Sequence, residues 1–160
     1  MAGWAVRGIG VVVLILAVAL IALAPKVPVH HGIYGLRNMV VGFELAREPE
    51  HVVALLGSPG DEAREPTVRA MDRTNRLDFV FLVAYPAFTV AIAAWLTSRR
   101  RAPRWLPLAV GGLAVAMALG DAAENLQLLA LSALTDPAAM VGPLARLQVA
   151  TAVKWGALFV

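Results

Sequence analysis

From Gly8 to Ala24 the chain reads "GIGVVVLILAVALIALA", without a single charge. No other feature limits the fold as much. A bilayer core of roughly 30 Å takes about 20 apolar residues in helical form, and a backbone in lipid has to satisfy its own hydrogen bonds. Three further stretches have the length to cross. Residues 77–97 are interrupted by Asp78 and Pro86, residues 105–131 follow, and residues 140–160 carry Arg146 and Lys154. Hydrophobic residues make up 59% of the 160, where soluble domains hold nearer half. The expectation is one all-α integral membrane domain over 1–160, a four-helix transmembrane bundle. Length carries this reading, because spans apolar all round show little periodicity.

The first span also has features of a signal peptide: Arg7 precedes it, and Ala22, Leu23 and Ala24 resemble a cleavage site. Pro25 would follow the cut directly, so the stretch is read as an uncleaved helix. Orientation follows from basic residues in short loops. "SRRRAPR" places Arg99, Arg100, Arg101 and Arg104 between spans two and three, which assigns that loop to the cytoplasm. Both termini are then cytoplasmic, in a multi-pass protein of the cell's inner (plasma) membrane. Residues 25–76 form an extracytoplasmic cap. "IYGLRNMVVGFELA" and "PEHVVALLG" have helical apolar spacing, so the cap is expected to hold short amphipathic helices lying on the outer surface between spans 1 and 2. "PTVRAMDRTNRLDF" is expected to run as helix straight into span two.

Several chemistries are excluded. The absence of cysteine rules out disulfides, thiolate metal sites and a cysteine nucleophile. The net charge of +3 forms no basic stripe with interleaved aromatics, so no nucleic-acid partner is expected. There is no phosphate loop and no cofactor motif. His30 and His31 are adjacent, and in an extended segment they point to opposite faces, so no metal site is assigned. "GIG" in span one and Gly111-Gly112 are read as close helix packing.

The polar residues within the spans are the informative ones. A charge at mid-membrane costs at least roughly 2.5–3.5 kcal/mol and usually faces the bundle interior. Asp121, Glu124 and Asn125 stand at i, i+3 and i+4, on one helix face. Arg146, Ala150 and Lys154 are spaced by four, and Asn75, Asp78 and Tyr85 form a rough stripe. At 1.5 Å per residue, Asp121 lies about 24 Å along span three and Lys154 roughly 16–21 Å from the outer end of span four. They are therefore expected to approach each other. Asp121, Glu124, Asp78 and Lys154 are the candidate catalytic residues, and Asn125, Tyr85, Asn75 and Arg146 the candidate ligand-binding residues. The expected pocket lies between spans two, three and four, with Phe81, Leu82, Leu128 and Ala150 as apolar wall. The plainer alternatives are that the acids form the wet end of a long helix, that Lys154 is a structural ion-pair partner, that Asp78 favours the start of a helix, and that Arg146 anchors at the headgroups.

"FELA", "LDFVFLVAY", "GDAAEN" and "KW" carry a resemblance to a group of small uncharacterised bacterial four-helix membrane proteins, which implies an architecture and no activity. The layout is also similar to that of the EXPERA superfamily of sterol isomerases and the sigma-2 receptor. That likeness implies intramembrane acids facing a lipid-accessible pocket, here Asp78 and Glu124. The chain departs from that pattern in having no histidine within a span and in carrying Lys154. The functional expectation is an outward-facing intramembrane polar pocket for an apolar or amphipathic small molecule, with acid–base chemistry on a lipid or isoprenoid as its extension. The alternatives are an accessory subunit of a membrane complex and a small proton-coupled transporter. The expected partner is a membrane lipid or other apolar molecule, with a homo-oligomer or larger membrane complex left open.

Overall fold

α4 runs from Arg64 to Ser98. Its 35 residues extend about 52 Å, well beyond the hydrocarbon layer. The charged first half therefore stands outside the apolar second half. The protein is described by a computed structural model covering residues 3–24, 38–99 and 103–159. The other elements are α1 (Gly3–Leu23), α2 (Met39–Leu45), α3 (Pro49–Leu56), α5 (Leu106–Ala133) and α6 (Pro137–Leu158). All regular elements among the described residues are helices.

Three helices, α1, α4 and α5, are long and apolar enough to cross a membrane, which marks a membrane protein. α6 has 22 residues and is not one of the three. Arg146, Gln148 and Lys154 dilute its apolar character, which length alone did not reveal. The four long helices pack in chain order, α1 on α4, α4 on α5 and α5 on α6. Among the described residues α1 and α6 make no substantial contact. The arrangement is an open row, and the four-span bundle expected from the sequence is not established by it.

Pairwise contacts fix the register. The Thr74 hydroxyl donates to the Leu23 carbonyl at 3.1 Å, and Gly3 lies beside Trp95. α1 is thus antiparallel to the apolar part of α4, and its C-terminal end marks the level of Thr74. Gly10 meets Phe88 and Gly111 meets Val90, but Gly8 and Gly112 face open space. Only half of the glycines read as packing positions pack. The exposed face of α1, including Val11, Leu14, Ile15 and Val18, is the surface a bilayer would cover.

The main core lies at the end of the molecule away from the arginine loop. Met39 and Phe43 of α2, Val52, Leu55 and Leu56 of α3, and Met71 of α4 pack on Leu128 and Leu131 of α5 and on Met140, Leu144 and Leu147 of α6. Each element is locally specified. Asn38 caps α2 by accepting from the backbone N–H of Val40 and Val41. Pro49 occupies the first turn of α3, where its missing N–H costs nothing. Gly57 ends α3 at φ 93°, a conformation that favours glycine. Its carbonyl accepts from buried Arg64 at 2.5 Å. The same guanidinium donates to the Leu134 carbonyl at 2.7 Å, clasping the α3 end to the α5–α6 turn. His51 is half-buried and accepts from the Arg47 backbone N–H at 3.1 Å.

α2 is placed by its contact with α6. Val41, Glu44 and Leu45 border the same surface pocket as Gln148, Thr151 and Trp155 of α6. α2 therefore lies beside α6.

Candidate functional site

The face of α5 that carries Asp121, Glu124 and Asn125 is divided between its two neighbours. Glu124 turns to α6. Its carboxylate accepts from Lys154 Nζ at 2.9–3.0 Å and from the Thr151 hydroxyl at 3.0 Å. Asn125 turns to α4 and donates to Asp78 at 2.6 Å. Asp121 reaches both sides: its Oδ1 lies 3.2 Å from Lys154 Nζ, and its Oδ2 accepts from the Tyr85 hydroxyl at 3.4 Å. Lys154 holds a third acid, Glu44 of α2, at 2.5 Å.

The ammonium of Lys154 thus stands where three carboxylates from two helices converge. The lysine and glutamate side chains are largely removed from solvent: 13% exposed for Lys154, 11% for Glu44 and 4% for Glu124. Counting Asp78, four acids share the region with one lysine, so its charge is only partly offset. These are groups within hydrogen-bond reach of one another that can donate or accept a proton, as acid–base chemistry requires. Asp78 lies one turn beyond Thr74 along α4, so the cluster belongs to the half of the long helices nearer α2 and α3.

A cavity of about 340 Å³ opens beside this cluster. Its polar lining comprises Asn38, Thr74, Asn75, Asp78, Asp121, Glu124, Asn125 and Lys154. Leu20 and Ile21 of α1 with the following Ala24, Val40 of α2, and Phe81 and Leu128 supply apolar wall. The location corrects the sequence expectation. The cavity lies among α1, α2, α4 and α5, and Lys154 is its sole lining residue from α6 among those described. Leu82 and Ala150 are buried but do not line it, whereas Phe81 and Leu128 do. Tyr85 stands behind Phe81, with ring centroids 5.3 Å apart, and reaches the site only through Asp121.

Arg146 does not join the cluster. It is exposed, donates to Gln127 at 3.0 Å, and borders a separate apolar groove with Leu119, Ala123 and Val149. Asn75 does join: it is 4% exposed, and its Nδ2 has no hydrogen-bond partner among the described residues. Sequence reasoning missed Glu44 and Thr151. Glu44 was visible as the lone acid of "MVVGFEL", next to a phenylalanine that the core buries. Thr151 was visible one turn before Lys154 on the same face. His30 and His31 lie outside the described residues. No group of three or more His, Asp or Glu among the described residues is arranged to hold a metal ion.

No family model matches the chain, no curated protein matches it, and no solved structure matches it. The site has to be interpreted from its own chemistry.

Proposed function

We propose that this is a membrane protein whose cavity binds an apolar or amphipathic small molecule entering from the outer leaflet. The observation behind this reading is the pairing within one cavity of a charged, hydrogen-bonding end with a wall of Leu20, Ile21, Phe81 and Leu128. Ligand sites are usually concave and mainly apolar, with a few convergent polar groups. Asp78, Asp121, Glu124 and Lys154 are the groups that would move a proton on a bound lipid or isoprenoid. A lipid extract of the purified chain should contain one molecular species enriched over bulk phospholipid, read by mass spectrometry. Val40→Trp, which fills the cavity from an exposed position outside the main core, should lose that species at an unchanged unfolding midpoint.

A second reading has its own observation in favour. Lys154 ties α2 to α5 through three acids, as a structural lock in an accessory subunit would. No enriched species, together with a silent Val40→Trp, selects that reading.

We also propose a topology in which α6 enters the membrane beside α5 and the arginine loop is cytoplasmic. The chain then sits in the inner membrane with both termini on the cytoplasmic side. Arg7, Arg99, Arg100, Arg101 and Arg104 support this through the positive-inside tendency. A cysteine at Ser58 should react with an impermeant maleimide in intact cells, and one at Ala102 should react only after permeabilisation. The reverse pattern inverts the topology.

A further inference from the structure

We propose that the cavity selects a neutral lipid alcohol, whose hydroxyl donates to Asp78 and accepts from Asn75. This rests on the ligand-binding reading above and names its headgroup chemistry. Asn75 and Asp78 stand three residues apart on α4, one turn along a single face, and both line the cavity. The Asn75 side chain is nearly fully buried, yet Nδ2 donates to nothing among the described residues. Buried polar groups are generally paired, and an unpaired one requires an explanation. Here the residue that carries the unpaired donor lines the cavity, one turn from a carboxylate that lines it too. Among the described residues Asp78 accepts one side-chain bond, from Asn125, and a carboxylate has several acceptor positions.

The complement of an amide donor beside a carboxylate acceptor is a group that both accepts and donates. A hydroxyl has one O–H and two lone pairs. An ammonium has donors only, so it would satisfy Asp78 and leave Asn75 Nδ2 unpaired. A carboxylate or phosphate would accept from Asn75, but it would place another anion beside Asp78, Asp121 and Glu124, which line the same cavity. Like charges at such range disfavour the ionised forms. Lys154 does not relieve this, because its ammonium is already shared by three acids. An ether or ester oxygen accepts from Asn75 and gives Asp78 nothing. The rest of the ligand is set by Leu20, Ile21, Phe81 and Leu128, which fit hydrocarbon. At about 340 Å³, the cavity is at the small end of ligand sites, suited to a compact head and the first part of its chain.

The test uses the full chain in phosphatidylcholine nanodiscs and four probes with the same tail: 1-tetradecanol, its methyl ether, tetradecylamine and tetradecanoate. Saturable binding is followed with tritiated tetradecanol and by competition. The alcohol should bind at least tenfold tighter than each of the other three. Asn75→Leu should reduce the alcohol's affinity about tenfold, to the level of the ether, with an unfolding midpoint equal to or above that of the parent. The amine or the acid binding tightest, or unchanged alcohol affinity in Asn75→Leu, overturns the alcohol assignment and leaves the pocket standing. If none of the four saturates and Val40→Trp changes nothing, the pocket reading fails and the assignment falls with it.

Discussion

Lys154→Met should destabilise the protein by about 3–5 kcal/mol, the range for removing one partner from a buried ion pair. The variant keeps the stem volume and removes the ammonium. Glu44, Asp121 and Glu124 then face one another without a cation. Losing a single acid should matter less. Glu44→Gln leaves Lys154 with Asp121 and Glu124, so most of the attraction survives. The cluster therefore predicts an asymmetry, with the lysine variant well below each glutamine variant in an SDS mixed-micelle unfolding titration. Adding Glu124→Gln to Lys154→Met should recover part of the loss, since it removes the most buried of the stranded acids. Strict additivity of these two changes would mean that the residues do not interact. A cost for Lys154→Met near zero would remove the cluster as an energetic unit.

Much of this arrangement was legible from residue spacing. Asp121, Glu124 and Asn125 share a face by the i, i+3, i+4 rule, and depth counting along two antiparallel helices brought Lys154 to them. α4 was legible for a different reason: the helical pattern of "PTVRAMDRTNRLDF" runs into the apolar stretch without a break. Arg146 shows where spacing misleads. Two steps of four residues look like one stripe, but at 3.6 residues per turn eight residues rotate about 80° around the helix. Arg146 is consequently on the exposed side, paired with Gln127, while Lys154 faces the acids. The contribution of α2 was not legible, because a seven-residue helix takes its placement from packing. Burial of Met39 and Phe43 sets it against α3 and α6, and that placement delivers Glu44 to Lys154. The cavity was expected on the wrong side for a related reason. The second half of α1 carries no polar residue to draw attention, yet Leu20, Ile21 and the following Ala24 complete the wall.

Gly120→Val should cost about 1–3 kcal/mol, the usual range for overpacking a close contact. A Cβ at Gly120 would lie 3.0 Å from the backbone nitrogen of Lys154 and 3.2 Å from its Cα. Those atoms belong to the body of α6 and cannot rotate aside as a side-chain tip can. The helices must separate, and the separation falls at the residue whose ammonium meets Asp121 at 3.2 Å and Glu124 at 2.9 Å. Gly112→Val is the control, because nothing lies within 4 Å of a Cβ there. It should remain within about 0.5 kcal/mol of the parent, as surface changes usually do. The combination with Lys154→Met separates two roles for the glycine. If Gly120 serves the ion cluster by allowing α6 to approach, part of its cost is the stretching of the Lys154 pairs. Gly120→Val should then cost less in the Lys154→Met background than in the parent. Equal costs in both backgrounds would show that Gly120 serves helix packing alone, and that the acids of α5 hold Lys154 without needing the close approach.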